Sequence, residues 1–357
     1  MRFFIIVLLL LFTNIAYSYD NYGIGKQESA IIDTYITTWD EIIRSIGDNL
    51  YKSDKYLYLI KPKPALCIKG RLTPFAKDRA LNTLNAIRKL HNLQPLKYSS
   101  KYDGQVQAGA LILEANGIIT HTPSKKNKCY TDEGYDGTSS SNVYGGRGSI
   151  SERTTHDPLN DILGWVHDTY NLNDKWRLGH RRWDLDPFRT YMSYGQVYWA
   201  SLDKVHGFTE EKEITVDPKD IPDFVAFPYK RYPYVLFPVN KDRFNTYWSF
   251  QMVEDKSNKN RNKHYYFTNA KISIKEKYGL FKKSLPVKNI WYDVENYGVP
   301  NLLSWIVEGW DYNKWYIVKI SDITMKNGEK KTVSYDVFID TEFPSKILPE
   351  VLDKILD

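Results

Sequence analysis

The chain has 357 residues, 42% of them apolar and 26% charged, with 49 Lys and Arg against 43 Asp and Glu. At about 100–200 residues per domain the length suits two domains, and the apolar content excludes a chain disordered throughout. A net charge of +6 is small for this length and, with only two cysteines, excludes a dedicated nucleic-acid binder, a disulfide-dense miniprotein and a four-cysteine zinc module.

Residues 1–18 read as a secretory signal. Arg2 supplies the positive start, residues 3–12 are an unbroken apolar run, and Ala16-Tyr17-Ser18 ends in the small residues a signal peptidase recognises. That run falls short of the about 20 residues a spanning helix needs, and no later stretch approaches that length, so no transmembrane segment is expected. The expectation is therefore a secreted, extracellular chain. Cys67 and Cys129 would then meet oxidising conditions that favour pairing, with buried unpaired thiols as the alternative.

Within residues 19–69, Ile31, Tyr35, Trp39, Ile42, Ile43 and Ile46 recur at helical spacing and predict an amphipathic helix. Lys61-Pro62-Lys63-Pro64 then breaks any helix and reads as an extended connector. Residues 70–205 predict three helices. Thr73-Pro74 is a cap and first-turn proline before Ala80, Leu84, Ile87 and Leu90; Asn116-Gly117 ends a second helix that runs from about Lys101; and Asp157-Pro158 opens a third, with Leu159, Ile162, Leu163 and Val166 inward. Residues 123–149 are rich in Gly, Ser and polar side chains and read as a loop. Beyond Trp183 the period changes to two at Met192, Tyr194, Val197 and Trp199, which is strand behaviour.

Residues 206–342 predict short strands at 271–275, 287–292, 302–307, 315–320 and 332–339, with a hairpin turn at Asn327-Gly328. Such spacing suits an all-β sandwich. The basic run 256–263 reads as a solvated loop, and residues 343–357 as a C-terminal tail. Mixed helices and strands without β-α-β alternation give the fold class α+β.

Four motifs of the middle region occur in order: Thr120-His121-Thr122-Pro123; Ser140-Ser141-Asn142-Val143-Tyr144-Gly145-Gly146; Trp165-Val166-His167-Asp168; and Leu178-Gly179-His180-Arg181-Arg182-Trp183. Together they resemble the CAP superfamily of cysteine-rich secretory proteins, antigen 5 and pathogenesis-related class 1 proteins, most closely its bacterial secreted branch. The resemblance implies a CAP-type α-β-α sandwich over residues 70–205, followed by an immunoglobulin-like all-β sandwich. It also implies a cleft holding two histidines, which match His121 and His180, and two acidic residues. Asp168 matches the first acid, where the family usually has Glu; Ser141 stands where the family has the second.

Two readings of these cleft candidates stay open. His121 and His180 could ligate a divalent transition metal, with zinc the candidate cofactor, although a catalytic zinc has three protein ligands and its water needs a base. Asp168 could serve as ligand or as base, and Glu133 or Glu152 could stand in for the missing acid. Alternatively, both histidines hydrogen-bond Asp168 and loop backbone as a structural network. Arg181 and Arg182 are expected to pair with Asp184 or Asp186, Trp183 to lie in the core, and His156 and His167 at the surface. The leading function is a non-enzymatic extracellular binding module at a cell or host surface, whose cleft would take a small apolar ligand, a metal ion or a peptide, and whose partner would be a small molecule, a lipid or an extracellular protein and not nucleic acid. The alternative is a zinc-dependent hydrolase.

Overall fold

The computed structural model describes residues 54–145, 155–173, 175–205, 216–234, 237 and 246–341. The expected signal at 1–18, the amphipathic helix over 31–46 and the tail at 343–357 lie outside these residues. The described part opens with α1 (Asp54–Leu57), β1 (Tyr58–Ile60) and β2 (Arg71–Leu72), the two strands pairing antiparallel. Helix α2 (Pro74–Leu90) starts as the residues require: the Thr73 side chain accepts the Ala76 N–H, and Pro74 takes a position whose N–H needs no partner. Ala76, Ala80, Leu84 and Ile87 of α2 are fully buried. After β3 (Lys97–Tyr98), α3 (Asp103–Asn116) ends at Gly117, which adopts the left-handed conformation at φ 61°.

The stretch read from its composition as a loop contains a helix and a strand. Helix α4 (Asp132–Ser139) is capped by Thr131, and β4 (Ser141–Tyr144) follows at once. Gly134 and Gly137 look like loop residues but serve packing. A Cβ at Gly137 would lie 2.1 Å from the Gln105 carbonyl oxygen of α3, so glycine lets the two helices touch backbone to backbone.

Helix α5 (Pro158–His167), short helix α6 (Gly179–Asp184), β5 (Tyr191–Met192), β6 (Tyr194–Val197) and β7 (Ala200–Lys204) complete this half. Strands order as β4-β7-β6, all antiparallel, with β4 at an edge; β3 and β5 form a separate parallel pair. Alternation along the paired strands decides what each face meets. Val143 and Leu202 point to the α3 side, where they join Val106, Ala110 and Leu113. Asn142 and Asp203 point the other way, as does Tyr144, which packs edge-on against Trp165 of α5. The small sheet thus carries helices on both faces.

Residues 216–341 form two further sheets. One orders β13 (Val287–Asp293), β14 (Leu302–Val307), β10 (Tyr247–Met252) and β8 (Phe224–Phe227). The other orders β12 (Ser284–Leu285), β11 (Lys271–Glu276), β15 (Trp315–Thr324), β16 (Lys330–Asp340) and β9 (Lys230–Pro233). Pairing is antiparallel except between β9 and β16. Aromatic rings join the sheets: Phe224 stacks on Phe250 at 5.1 Å, and Phe250 on Tyr335 at 6.2 Å. Asn327-Gly328 turns the β15–β16 hairpin, Gly328 at φ 85°. The apolar run of β14 is buried at all six positions, as expected of a strand covered on both faces.

The helical half and the two-sheet half share one apolar core, which runs from Ala80, Leu84 and Ile87 of α2 to Phe227, Phe250 and Trp305. His91, just past α2, is buried where they meet. Its Nδ1 lies 2.8 Å from the Ala226 carbonyl, and so must donate to it, while the ring stacks on Phe227. The run at 256–263 is also more than a solvated loop, because Lys259 reaches Asp186 at 2.9 Å and lies over the Trp183 ring. Trp183 is accordingly half-buried at this seam, not in the core.

Cys67 and Cys129 form a disulfide that spans 62 residues. It ties the segment before α2 to the segment leading into α4. Loop-closure entropy for that span corresponds to about 4 kcal/mol. The Cys67→Ser, Cys129→Ser double variant should lose stability of that order in urea unfolding; a loss below about 1 kcal/mol would overturn this entropic account.

Burial pushes the His91 imidazole from 6.5 down to about 3. The unfolded chain takes up this proton below about pH 6.5 and the folded one refuses it down to about pH 3, so stability is intact above that window and falls as the pH drops through it. The expected contribution is about 1.4 kcal/mol per pH unit. His91→Gln should flatten the slope of unfolding free energy against pH by that amount. An unchanged slope would show that His91 is not responsible.

Candidate functional site

His121 lies in the loop beyond α3, and Thr138 of α4 holds it. The Thr138 hydroxyl donates to the His121 carbonyl at 3.2 Å, and the Thr138 carbonyl lies 3.0 Å from His121 Nδ1. A carbonyl can only accept, so Nδ1 carries the proton and Nε2 is left facing outward. Crowding by protein atoms, followed by the neighbouring His180, lowers the His121 pKa below the ordinary histidine value, which favours the neutral ring.

Asp168 is not a helix-face residue. It is the residue at which α5 ends, and its backbone turns left-handed at φ 51°, a conformation a short polar side chain tolerates. The turn swings its carboxylate onto the start of α6. There it accepts the His180 backbone N–H at 2.9 Å, His180 Nδ1–H at 2.8 Å and the Arg181 N–H at 3.3 Å. Asp168 therefore caps α6 and orients the His180 ring. With these bonds made, it is a positioning group, already committed and not poised as a ligand or a base.

The two imidazoles face each other across the β4 edge, centroids 6.4 Å apart and planes inclined by 34°. Asn142 ties β4 to α6: its amide donates to Asp184 at 2.9 Å and lies 3.5 Å from the His180 carbonyl. Ser141 does not join. Strand alternation turns it to the α3 face, where it is buried and its hydroxyl has no hydrogen-bond partner. Glu133 is likewise elsewhere, paired with Lys69 at 2.7 Å. Glu152 lies outside the described residues.

Among the described residues no group of three or more His, Cys, Asp and Glu could hold a metal ion, whereas catalytic zinc takes three protein ligands. Two imidazoles on one tetrahedral zinc, with Zn–N near 2.0–2.1 Å, would also bring their centroids to about 5 Å, closer than this pair stands.

Helix α6 is fixed at its other positions by arginines, in pairings other than those expected. Arg181 donates to the Val166 carbonyl at 2.7 Å, to that of His167, and across the seam to the Tyr247 carbonyl at 2.8 Å and Ser249 Oγ at 3.2 Å; its guanidinium covers the Phe227 ring. Arg182 pairs with Asp293 at 2.9 Å and donates to the Tyr297 and Glu295 carbonyls. The chain passes so close here that a Cβ at Gly298, itself at φ 54°, would sit 2.0 Å from the Arg182 carbonyl oxygen. At the end of α6, the buried Arg88 of α2 donates to the carbonyls of Asp184 and Asp186. His156, expected at the surface, is buried and bonded to Asp161, which also accepts from Tyr194; His167 is half-buried.

Beneath the site, Arg189 bridges Asp184 at 3.1 Å and Asp203 at 2.6 Å. The Oδ2 atoms of both carboxyls are buried with no other hydrogen-bond partner, and a proton held between the two carboxyls would satisfy them. Burial raises the pKa of both carboxyls, the charge of Asp203 raises that of Asp184 further, and Arg189 opposes the rise at Asp203; the proton is therefore assigned to Asp184 and the charge to Asp203, the closer to Arg189. None of Thr138, Arg189 or Asp203 carries a local sequence signal of this role, since each acts through a partner distant in the chain.

Compared with models of known protein families, with characterised proteins and with solved structures, the chain matches none.

The shared proton is testable. Asp184→Asn keeps the shape and the Oδ1 acceptor and makes the neutral state permanent, so its stability at pH 7 should stay within about 1 kcal/mol of the parent. Asp203→Asn strips Arg189 of its anion and should cost about 3–5 kcal/mol. Equal losses in denaturant unfolding would overturn the assignment of the proton to Asp184.

Proposed function

We propose that the chain is a secreted CAP-superfamily protein, a CAP-type α-β-α sandwich followed by an immunoglobulin-like β-sandwich, that acts as a non-enzymatic extracellular binding module through the cleft at His121 and His180. The observation that carries this reading is the division of labour among the cleft groups. Both imidazoles spend Nδ1–H on fixed acceptors, Thr138 O and Asp168 Oδ1, and present Nε2 without a partner among the described residues. The nearby carboxylate is consumed in orienting His180 and capping α6. Such a site can hold a ligand by two oriented nitrogen atoms. Support for the family reading comes from the meeting of its motifs: the loop of His121, β4, the end of α5 and the start of α6 converge at one strand edge. The disulfide, and the absence among the described residues of a helix long and apolar enough to cross a membrane, accord with an extracellular setting.

One observation favours the second reading, a zinc-dependent hydrolase. Metal-ligating histidines generally donate their other ring N–H to a carboxylate or a carbonyl, and both rings do so here. Metal content and activity separate the two readings. Under the binding-module reading, zinc added to the purified protein should be lost on dialysis, and the His121→Ala, His180→Ala variant should show no hydrolytic difference from the parent on peptide, ester and cell-wall substrates. One zinc per chain retained through dialysis, with hydrolysis abolished in the double variant, would overturn it.

A further inference from the structure

The turn between β11 and β12 carries two of the three most exposed large hydrophobic side chains among the described residues, Tyr170 being the third. Leu280 is 98% exposed and Phe281 92%, with Tyr278 beside them at 51%. The turn protrudes from the edge of the five-stranded sheet, where β12 is the outermost strand. At Gly279 (φ 110°) an added Cβ would meet nothing within 4 Å, so the apex stands clear of the body. The sequence across it, Lys277-Tyr278-Gly279-Leu280-Phe281-Lys282-Lys283, has three lysines and no acid, and no Asp or Glu follows before Asp293. Lys277 is paired with Asp336 at 2.7 Å. The other two have no carboxylate partner among the described residues: Lys283 Nζ meets the Gly309 carbonyl at 3.2 Å, and no partner is found for Lys282.

From this arrangement we infer that the β11–β12 turn is a membrane-insertion tip for an anionic lipid surface. Leu280 and Phe281 enter the boundary between headgroups and acyl chains, Tyr278 lies at headgroup level, and Lys282 and Lys283 meet lipid phosphates. Exposed apolar side chains facing water are unfavourable in proportion to their area, and a bilayer interface relieves that without a complementary pocket. Size argues against a protein partner. A specific protein interface needs about 800 Å² per side, whereas one fully exposed aromatic side chain supplies about 150–250 Å² and its one fully exposed neighbour is smaller. The lysines supply the charge complementarity, since each basic side chain near an anionic surface adds attraction that salt weakens. A tyrosine at the rim of the tip matches the preference of amphipathic rings for the membrane–water interface. This inference concerns the opposite half of the molecule from the histidine pair and is independent of the function proposed there.

Vesicle co-sedimentation of the full chain tests it, with phosphatidylcholine vesicles against phosphatidylcholine–phosphatidylglycerol vesicles. The protein should partition onto the anionic vesicles and be released by salt. Leu280→Ser with Phe281→Ser should weaken that partition by at least about tenfold, and Lys282→Gln with Lys283→Gln should remove most of the preference for anionic over neutral vesicles. Both pairs are exposed, and unchanged circular dichroism verifies that the variants fold. Phe281→Trp should show a blue-shifted emission on anionic vesicles, quenched by lipids brominated in the acyl chain. Absence of partition, partition undiminished in the serine variant, or a tryptophan that stays in water would each overturn the inference. So would concentration-dependent self-association that the serine variant abolishes, because the tip would then serve a protein contact.

Discussion

Helix α6 is only six residues long, and three consecutive side chains leave it in three directions: His180 to the cleft, Arg181 to the end of α5 and onto β10, Arg182 to the loop after β13. A helix this short cannot hold itself together. Asp168 supplies the missing constraint by accepting the first backbone N–H groups of α6 and the His180 ring on one carboxylate. Arg88 does the converse at the other end, donating to carbonyls that the helix leaves open. The geometry of the histidine pair depends on this double tie.

Because Arg181 and Arg182 cross the seam, the histidine pair is tied mechanically to both halves of the chain. The planar guanidinium matters here: Arg181 satisfies the last carbonyls of α5 and the edge of β10 at once, which a lysine ammonium on a flexible stem would not. Burial lowers the pKa of both arginines, that of Arg181 to about 10, yet they stay charged at neutral pH and are compensated by carbonyls and by Asp293. The same seam buries His91, and the apolar core runs through it without interruption. Arg181 and Arg182 thus tie α6, which carries His180, directly to the two-sheet half.

Legibility followed locality. Thr73-Pro74, Asn116-Gly117, Asp157-Pro158 and Asn327-Gly328 carry their own capping and turn chemistry, and α2, α3, α5 and the β15–β16 hairpin formed where those signals stand. The strands read at 271–275, 287–292 and 302–307 needed only short apolar or alternating runs. Helix α4 was hidden because Gly134 and Gly137, which argue against a helix in isolation, are required by the close approach of α3. The proximity of His121, Asp168 and His180 was legible only through resemblance of ordered motifs, since nothing in their spacing dictates it.

The sequence by itself determined which groups were available, among them His121, His180, Asp168, Ser141 and two cysteines. It also settled most of the local elements, whose hydrogen bonds close within a few residues. Tertiary structure decided what those groups do. It tied both Nδ1 atoms to acceptors, turned Asp168 out of its helix to cap another, pointed Ser141 away from the cleft, and joined Cys67 to Cys129. Each of these depends on a partner far along the chain, and on how completely water is excluded around it, and neither is a property of any local run of residues.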